Sequence, residues 1–492
     1  MYHWEVVESL FEEYPLVKQH IDSYNEFIDR KVDQILQEEN EVTTTKNEGT
    51  KIKFHAIRIE KPTITEADGS KRLIYPMEAR MRKSTYAASL FLDMSLLDDG
   101  KEIDRDEVYV GELPVMVRSK LCNLNGMAKE ALVKVDEDQY EQGGYFIVSG
   151  NEKVLVSQEE LAPNRVMINK ETKTGKITTT AKITSSKGRF RGKIALERTP
   201  EGLMYLQFPG TPKNLNMLVV LRALGIGTQK EVLEAFSDKT DTVNDILLNL
   251  EAVPLKNSKE AIDYLGKRIA AGQLEEYRLS RAQQAIDNYL FPHIGTSPED
   301  RLSKAYYLAS VAERVMDVSH GLREEDDKDH YMNKRIKISG ALMEDLFRYA
   351  LQSFTKDLGY QMDRAFSRGR KLQIRTLVRP DALSDRLGFA MRTGNWIQKQ
   401  GVAQLLDRLT YMSTVSHLRR VNSPLSKSQH HFDARELHPT HFGKICPNET
   451  PEGSPVGLVK NIAIGCFIST KNHAGIENQL SDLGLEVIKK GK

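Results

Sequence analysis

Hydrophobic residues recur with two different periods along this chain, and the period changes from segment to segment. Over residues 1 to about 40, Val32, Ile35 and Leu36 recur at helical spacing, and glycine and proline are nearly absent. This pattern predicts a helical start to the chain. Residues 176–198 instead alternate threonine with other residues around a Lys-Gly turn, which favours β-strands.

Two further segments carry equally regular patterns. Residues 143–159 predict a strand, a turn and a second strand, with Ser149-Gly150-Asn151 as the turn. Residues 341–359 predict an amphipathic helix, and we interpret its apolar stripe as core rather than as a partner-binding face. The members of the stripe are Leu342, Leu346, Ala350, Phe354 and Leu358.

The most informative stretch runs from Val402 to Ile464. Its first part predicts a helix with one apolar face. Asn422-Ser423-Pro424 should end this helix, because proline disfavours helical geometry in the residue before it. The residues of the face recur at steps of three and four: Val402, Leu405, Leu406, Leu409 and Met412.

A loop rich in proline and glycine follows, between residues 435 and 456. Prolines fix backbone angles and remove donors, so such a loop can be stiff without regular structure. It carries Glu449 and Glu452 and runs into a mainly apolar segment, 456–468. The pattern suggests carboxylates displayed on a braced loop in front of a buried anchor. A plain surface loop between a core helix and a core strand is the alternative that the residue types leave open.

Composition places the chain in a broad class. Its 492 residues suffice for several domains, and 40% of them are hydrophobic, as in globular proteins. The formal net charge is +1, but residues 364–427 contain thirteen Lys or Arg and only three acids. This local excess favours a phosphate-facing surface, with a solvated helical face as the alternative.

The same counts bear on compartment. Three cysteines without a CxxC pair suit a reducing environment. The sequence shows no signal peptide and no apolar run of about 20 residues. We therefore expect a cytoplasmic protein, associated with nucleoid DNA if it binds nucleic acid, that does not cross a membrane.

Three features invite other chemistry. The Gly-Ile-Gly sequence at 225–227 lacks the third glycine of a nucleotide loop, and a helix end is the better interpretation. The acidic run 324–330 lacks the spacing of a metal-binding loop, so it is expected to pair with the basic run after it. His438, His441 and Cys446 could contribute to a zinc site. A fourth ligand is missing, so we expect the histidines to brace the loop by hydrogen bonds and expect no metal in this chain.

Several motifs together resemble one known family. HPTHFGKICPNETPEGSPVGLVKN (438–461), LTYMSTVSHLRRVNSPL (409–425) and YPMEAR (75–80) resemble the second-largest subunit of multisubunit DNA-directed RNA polymerases, in its archaeal and eukaryotic form. The whole chain resembles the N-terminal half of that subunit. Some archaea encode this half as a separate chain, often called B double-prime.

The resemblance implies an α+β multidomain fold with mixed helices and antiparallel sheets, in the family's protrusion, lobe and fork architecture. A companion chain is expected to complete the last domain. By residue match, the expected domains are a first part of the protrusion at 1–163, the lobe at 164–333, a second part of the protrusion at 334–391, the fork at 392–465 and the start of an external domain at 466–492.

The resemblance also implies a function: a subunit of a nucleotidyltransferase that forms one side of the DNA cleft and positions the RNA–DNA hybrid and downstream DNA. The aspartate triad NADFDGD of the family's largest subunit is absent, so no catalytic residue is expected here, and Mg²⁺ is expected on other subunits. The expected partners are the largest subunit, a companion second half, smaller polymerase subunits, template DNA and nascent RNA. A non-catalytic nucleic-acid-binding scaffold and a free-standing zinc hydrolase are the alternatives.

By match to the family's motifs, two sets of residues are expected at nucleic acid. Arg420 is expected to pair with a phosphate or a facing carboxylate, and Glu452 to orient the RNA end or the nucleotide. The set near the hybrid or nucleotide is Gln404, Asp407, His417, Arg419, Arg420, Glu449 and Glu452. The fork loop, expected near the downstream edge of the bubble, comprises Ser426, Lys427, Ser428, Gln429, His430, His431 and Phe432.

Overall fold

The chain divides into two compact units. Unit 1 combines Met1–Glu159 with Ile336–Lys492, and unit 2 is Glu160–Arg335. No helix in the described part of the chain is long and apolar enough to cross a membrane. The computed structural model describes residues 3–44, 49–173, 175–212, 214–253, 255, 257–397, 399–470, 479–481 and 483–484.

Unit 1 begins with helices, as the sequence predicted. They are α1 (His3–Glu13), α2 (Lys18–Glu26) and α3 (Val32–Glu38), with a π-helical turn at Phe27–Lys31 between the last two. Val32, Ile35 and Leu36 are all buried, so the residues whose spacing predicted a helix do face the core.

The first sheet of unit 1 has four antiparallel strands, in the order β1 (Glu41–Thr43), β2 (Thr50–Ile59), β5 (Ala87–Asp98) and β6 (Lys101–Pro114); β3 (Thr63–Thr65) pairs separately with β4 (Lys71–Leu73). Alternate residues of β5 are buried, from Ala88 to Met94, because side chains of a strand point to opposite faces. This stretch of the chain also forms α4 (Pro76–Met81) and α5 (Lys129–Lys134).

A tight hairpin follows, formed by β7 (Phe146–Val148) and β8 (Asn151–Leu155). It confirms the predicted strand, turn and strand. Ser149 and Gly150 have φ of +51° and +76°, as a two-residue turn that matches the strand twist requires. A Cβ at Gly150 would also lie 2.8 Å from the Lys83 Cα, so glycine is needed there. Strand β9 (Ser157–Leu161) then leads out of unit 1.

Unit 2 consists of a five-stranded antiparallel sheet packed with helices around one core. Residues 176–198 form the predicted hairpin of β11 (Lys176–Lys187) with β12 (Phe190–Arg198), in which Lys187 faces Phe190 across the turn. The other elements are β10 (Val166–Lys173), β13 (Met204–Gln207), β14 (Leu215–Asn216), α6 (Met217–Ala223), α7 (Gln229–Glu234), α8 (Thr240–Ala252), α9 (Ser258–Ile269), α10 (Glu275–Tyr289), α11 (Arg301–Ser319) and β15 (Lys334–Lys337), whose second half belongs to unit 1.

The chain returns to unit 1 as the long helix α12 (Ser339–Ser367). The predicted stripe from Leu342 to Leu358 is buried throughout, so it belongs to the core as expected. Phe354 contacts Phe54 of β2, with ring centroids 6.2 Å apart. The remaining elements are α13 (Ile374–Leu377), α14 (Ala382–Thr393), β16 (Ala403–Leu405), α15 (Tyr411–Leu418), β17 (Arg420–Asn422), α16 (Phe432–Arg435) and β18 (Val459–Asn461).

The single helix predicted from Val402 is wrong. Residues 403–405 pair with β8 as a strand, and the helix begins only at Tyr411. Leu409 and Met412 are exposed, at 87% and 76%, and Leu405 is also exposed, so three of the five stripe residues do not reach the core. The spacing misled because a strand partner more than 200 residues earlier in the chain determines the local geometry.

Candidate nucleic-acid site between residues 404 and 461

Three short elements of unit 1 build the corner at which most of the expected residues lie. Strand β16 is paired with β8. Thr410 caps α15 through a capping box with Ser413, in which each side chain bonds the other's backbone N–H at 3.0 Å. Strand β17 then pairs antiparallel with β18 and parallel with β9. The corner therefore rests on strands from both ends of unit 1.

Gln404, Asp407 and His417 form one hydrogen-bonded cluster. His417 Nδ1 accepts from the Asp407 backbone N–H at 3.1 Å, so the neutral ring carries its proton on Nε2 and donates it to Gln404 Oε1, also at 3.1 Å. Burial, with Arg420 nearby, lowers the pKa of His417 to about 4. The ring is neutral at physiological pH, and this fixes its tautomer and the position of Gln404.

The Asp407 carboxylate is held from the other side of the same turn. Its Oδ1 accepts from the Leu409 backbone N–H at 3.0 Å and from the Ser413 hydroxyl at 3.2 Å. The hydrogen bond from the Leu409 N–H lowers the pKa of Asp407 most; desolvation opposes it, and the bond from Ser413 adds to the lowering. Asp407 is thus an oriented, ionised carboxylate at the start of α15.

Arg419 and Arg420 are adjacent in sequence but have opposite environments. Arg419 is 4% exposed, and its guanidinium donates to the Leu16 carbonyl at 2.7 Å and the Ala463 carbonyl at 2.6 Å. Buried His20 contacts the same corner through a 2.6 Å hydrogen bond to the Leu418 carbonyl. Arg419 therefore ties α15 to the start and the end of unit 1, and its guanidinium does not face an open surface.

The half-buried Arg420 side chain lines a cavity of about 400 Å³. Within the described residues its guanidinium makes no hydrogen bond and no ion pair. Glu449 lines the same cavity and accepts a hydrogen bond from the Ser416 hydroxyl. Asn461 donates to the Ser416 carbonyl and hydroxyl, at 2.9 and 3.1 Å, which connects this chain of contacts to β18. The cavity therefore combines a free guanidinium with a positioned carboxylate.

Glu452 lies apart from this cavity. It is exposed on the same proline-rich loop, and no hydrogen bond or ion pair joins it to Arg420 or to any other residue that the structure describes. The loop itself is braced by Thr450, whose hydroxyl donates to the Val459 carbonyl and accepts from the Gly457 N–H, both at 2.9 Å. Of the apolar segment 456–468 that was predicted as a buried anchor, only residues 458–462 are buried. Val456, Ile464 and Phe467 are exposed, so the anchor is shorter than predicted.

Sequence reasoning missed Arg435, which holds the fork loop. Its guanidinium donates to the carbonyls of Ser454 and Val456 at 2.7 and 2.8 Å, and also to carbonyls of the fork loop. A Cβ at Gly457 would overlap the Arg435 carbonyl oxygen, and φ there is +70°, so glycine allows this close approach. The fork-loop carbonyls are those of Lys427, Gln429 and His430, at 3.0, 3.0 and 2.9 Å.

The fork-loop side chains point outward while the backbone is held by Arg435. Residues 426–430 and Phe432 are exposed, and the His430 ring stacks on Phe432 with centroids 5.7 Å apart. The Ser426 and Ser428 hydroxyls are 2.9 Å apart and bond each other. His431, less exposed than its neighbours, has φ of +34° at the bend. The loop therefore presents one cation, amide and aromatic groups on a fixed backbone.

A network of charged side chains joins Arg408, just before α15, to Arg80 and Glu152. The guanidinium of Arg80, from YPMEAR, and that of Arg408 both bond the Glu152 carboxylate, at 2.8 and 2.7 Å. They also lie over the Tyr145 ring, 5.9 and 5.0 Å from its centroid. Burial opposes ionisation of Glu152, but the two arginines outweigh it and lower its pKa. This network connects the YPMEAR motif to Arg408, which immediately precedes the 409–425 motif.

The basic region 364–427 is only partly paired. Arg375 pairs with Asp106, and Arg379 lies 3.8 Å from Asp357. Four cations at the end of α12 are exposed and have no ion pair within the described residues: Arg364, Arg368, Arg370 and Lys371. This group of four is called the basic tip below.

The other features with possible metal or nucleotide chemistry make hydrogen bonds and ion pairs within the chain or end a helix. His438 Nδ1 bonds the Thr440 hydroxyl at 2.7 Å, and no group of three His, Cys, Asp or Glu in the described residues is placed to hold a metal ion. In the acidic run, Asp329 pairs with Lys334 at 3.0 Å, and Asp326 accepts from the Ile168 N–H. Gly225, with φ of +116°, follows the end of α6.

Comparison with known proteins gives one consistent family. Residues 15–385 match the family described as RNA polymerase beta subunit, and residues 404–468 match RNA polymerase Rpb2, domain 3. The chain is 44% identical over 490 residues to the DNA-directed RNA polymerase subunit Rpo2N of Methanococcus vannielii, covering 98% of both chains. It is 43% identical to Rpo2N of Methanocaldococcus jannaschii, covering 98% of this chain and 99% of that one.

A longer relative has a different extent. The chain is 44% identical to the DNA-directed RNA polymerase subunit Rpo2 of Saccharolobus solfataricus over 98% of its own length, but it covers only 43% of that protein. The shorter relatives carry the designation Rpo2N rather than B double-prime, so that label is corrected.

Proposed function

The chain belongs to the RNA polymerase beta subunit family, as its match to the archaeal Rpo2N proteins shows. We propose the following role for it in DNA-directed RNA polymerase. It is the N-terminal half of the second subunit, a component of a nucleotidyltransferase. It forms one side of the DNA cleft and positions the RNA–DNA hybrid and downstream DNA. The observation that carries this role is the unpaired Arg420 guanidinium in a cavity beside Glu449.

The cavity suits a phosphate or the polar groups of a nucleotide. A guanidinium can bind a phosphate through two parallel hydrogen bonds, and this one has no competing partner among the described residues. The cluster of Gln404, Asp407 and His417 keeps the start of α15 in place, and Arg419 keeps its end in place. Arg420 and Glu449 contact the nascent RNA or the incoming nucleotide, while the other members of the set are positioning residues.

Glu452 and the fork loop extend this surface. The exposed Glu452 carboxylate orients the RNA end or the nucleotide from the braced loop, and it does not ligate the catalytic metal. The fork loop, from Ser426 to Phe432, contacts nucleic acid near the downstream edge of the bubble through its exposed side chains. What supports this assignment is that Arg435 fixes the backbones of both loops together.

Domain names follow from the family. We assign the lobe to unit 2 and the protrusion to the two parts of unit 1 that precede residue 392, with the fork at 392–465. The unit boundary at Glu160–Arg335 supports this, since the lobe was expected at 164–333. The external domain, expected at 466–492, falls mostly outside the described residues.

The rest of the assembly supplies what this chain lacks. The companion second half and the largest subunit complete the catalytic centre, the latter holding Mg²⁺, and smaller subunits complete the enzyme in the cytoplasm with nucleoid DNA. Two-metal chemistry needs clustered carboxylates. Among the described residues no such cluster is present. A companion chain is also supported by the undivided relative, of which this chain covers 43%.

The decisive experiment replaces Arg420 in the assembled polymerase. On a preformed RNA–DNA scaffold, Arg420→Ala should slow elongation by about 10- to 100-fold, because a misplaced reactant costs rate without abolishing chemistry. Arg420→Lys should recover only part of the rate, since lysine lacks the bidentate geometry. Arg30→Ala, at an exposed position of the π-helical turn, is the matched control and should elongate normally on the same scaffold. Normal elongation by Arg420→Ala would remove the proposed contact.

The basic tip has a separate role, in contact with duplex phosphates. Neutralising all four cations to Gln should weaken DNA binding by the polymerase without changing sequence preference. The plot of log affinity against log salt has a negative slope, and its magnitude should decrease by up to about 3.6, or about 0.9 for each lost phosphate contact. An unchanged slope would assign these cations to a solvated helix end.

A further inference from the structure

Helix α1 is strongly amphipathic, yet within the described chain only Phe11 of its apolar face is part-buried, and the other apolar side chains are exposed. No residue of α1 is buried. Trp4 and Val6 are each 68% exposed, and Leu10 is 41% exposed. An isolated helix of fewer than about 12 residues is marginal in water. The 11 residues of α1 would therefore gain helical stability from a partner that covers the exposed apolar side chains.

The apolar and acidic side chains of α1 lie on separate sides of the helix, and His3 falls on the apolar side. At 3.6 residues per turn, the apolar side chains fall within an arc of about 160°, and the acids occupy the opposite side. No Lys or Arg lies in α1. The apolar residues are Trp4, Val6, Val7, Leu10 and Phe11, and the acids are Glu5, Glu8, Glu12 and Glu13. This arc is called the α1 stripe.

The stripe ends beside the segment where the matched domain ends. The Tyr14 ring, one residue beyond α1, packs on Phe467 with centroids 4.7 Å apart. Arg419 binds the carbonyls of both Leu16 and Ala463, so it pins the start of the chain to the same segment. The match to domain 3 of the family ends at residue 468. In the undivided relative the polypeptide is more than twice as long as the part that this chain covers.

We propose that the α1 stripe docks into an apolar groove of the companion polypeptide that supplies the second half of the subunit. This inference rests on the proposed split subunit and names a contact surface for it. The groove should be rimmed by Lys or Arg, which complement the four acids of α1. Binding follows the helix-in-groove mode, with Trp4 and Phe11 as anchors. An anionic membrane is a poor occupant, because amphipathic helices that bind one carry cations on the polar face.

The first test is photo-crosslinking in the assembled polymerase. A photoreactive phenylalanine analogue replaces Trp4 in one preparation and Glu12, on the opposite face, in another. Position 4 should crosslink to the companion chain, at apolar residues identified by mass spectrometry, and position 12 should crosslink to it far less. Crosslinks from position 4 only to another subunit, to this chain or to a second copy of it would overturn the proposal, as would none.

The second test measures how tightly the two halves hold together. Trp4→Asp combined with Phe11→Asp should weaken retention of the companion at least about 30-fold, as expected for buried aromatic anchors. Leu274→Asp, at an 84% exposed position in unit 2, is the matched control and should change nothing. If the wild-type enzyme holds no companion chain, the split-subunit proposal itself fails. If it holds one and the α1 variant holds it equally well, only the docking of α1 is refuted.

Discussion

The neighbouring arginines 419 and 420 allow a prediction in which stability and activity separate. Arg419→Met removes two short hydrogen bonds from a charged donor, to the Leu16 and Ala463 carbonyls. Each contributes about 1.5–3 kcal/mol. Burial penalises the charged guanidinium and lowers the pKa of Arg419. The substitution removes this penalty, which offsets part of the loss. The free energy of opening this part of unit 1 should therefore fall by about 2–4 kcal/mol.

Arg420→Met is the matched variant, because it removes the same chemical group one residue later. The Arg420 guanidinium has no partner among the described residues, so the change in stability should stay within about 0.5 kcal/mol. Its elongation rate, however, should fall as for Arg420→Ala. Arg419→Met should affect elongation only through loss of structure at the corner.

Hydrogen exchange of the amides in β17 and β18, measured in the assembled polymerase, reports local opening. A loss of about 2–4 kcal/mol corresponds to exchange about 30- to 700-fold faster in Arg419→Met. In Arg420→Met exchange should be unchanged. Equal protection in both variants, or equal loss in both, would refute the assignment of a bracing role to one arginine and a ligand-binding role to the other.

Three further predictions follow from particular contacts. Gly457→Ala should displace the fork loop and slow elongation, because φ is +70° there and the new Cβ would overlap a backbone carbonyl. Gly453→Ala has φ of +81° but lies in open space, so it should cost only backbone strain of about 1–3 kcal/mol. Amide hydrogen exchange of the fork loop should be faster in the first variant and unchanged in the second. Burial lowers the pKa of His20 and of His417 to about 4, whereas the rings of the unfolded chain protonate near pH 6.5. Unit 1 should therefore lose up to about 3 kcal/mol of stability for each ring as the pH falls from about 6.5 to about 4. Denaturation measured across this pH range should show a flatter dependence in the double variant His20→Gln, His417→Gln. Deleting residues 160–335 should reduce open-complex stability more than nucleotide addition on a preformed hybrid, and an equal loss of both activities would contradict the division of labour between the units.

Sequence alone determined the regular elements in which apolar residues recur at a constant spacing within the element itself. The stripe of α12 from Leu342 to Leu358 and the β11–β12 hairpin appear where periodicity placed them. Periodicity sufficed because each element buries one continuous face, and a one-residue shift would expose it. The motifs at 75–80, 409–425 and 438–461 together resembled the family that the comparisons then showed.

Tertiary structure decided what the chain does with residues of the same type. Pairing of residues 403–405 with β8 replaced the first half of the predicted helix and left Leu409 and Met412 exposed. Only the packing of the chain's beginning against residue 463 separates the bracing Arg419 from the free Arg420. Arg435 gave no signal, because its partners are backbone carbonyls, which every residue has. The physical reason is common to all three: burial and hydrogen-bond satisfaction depend on neighbours distant in sequence, and periodicity reports only the near ones.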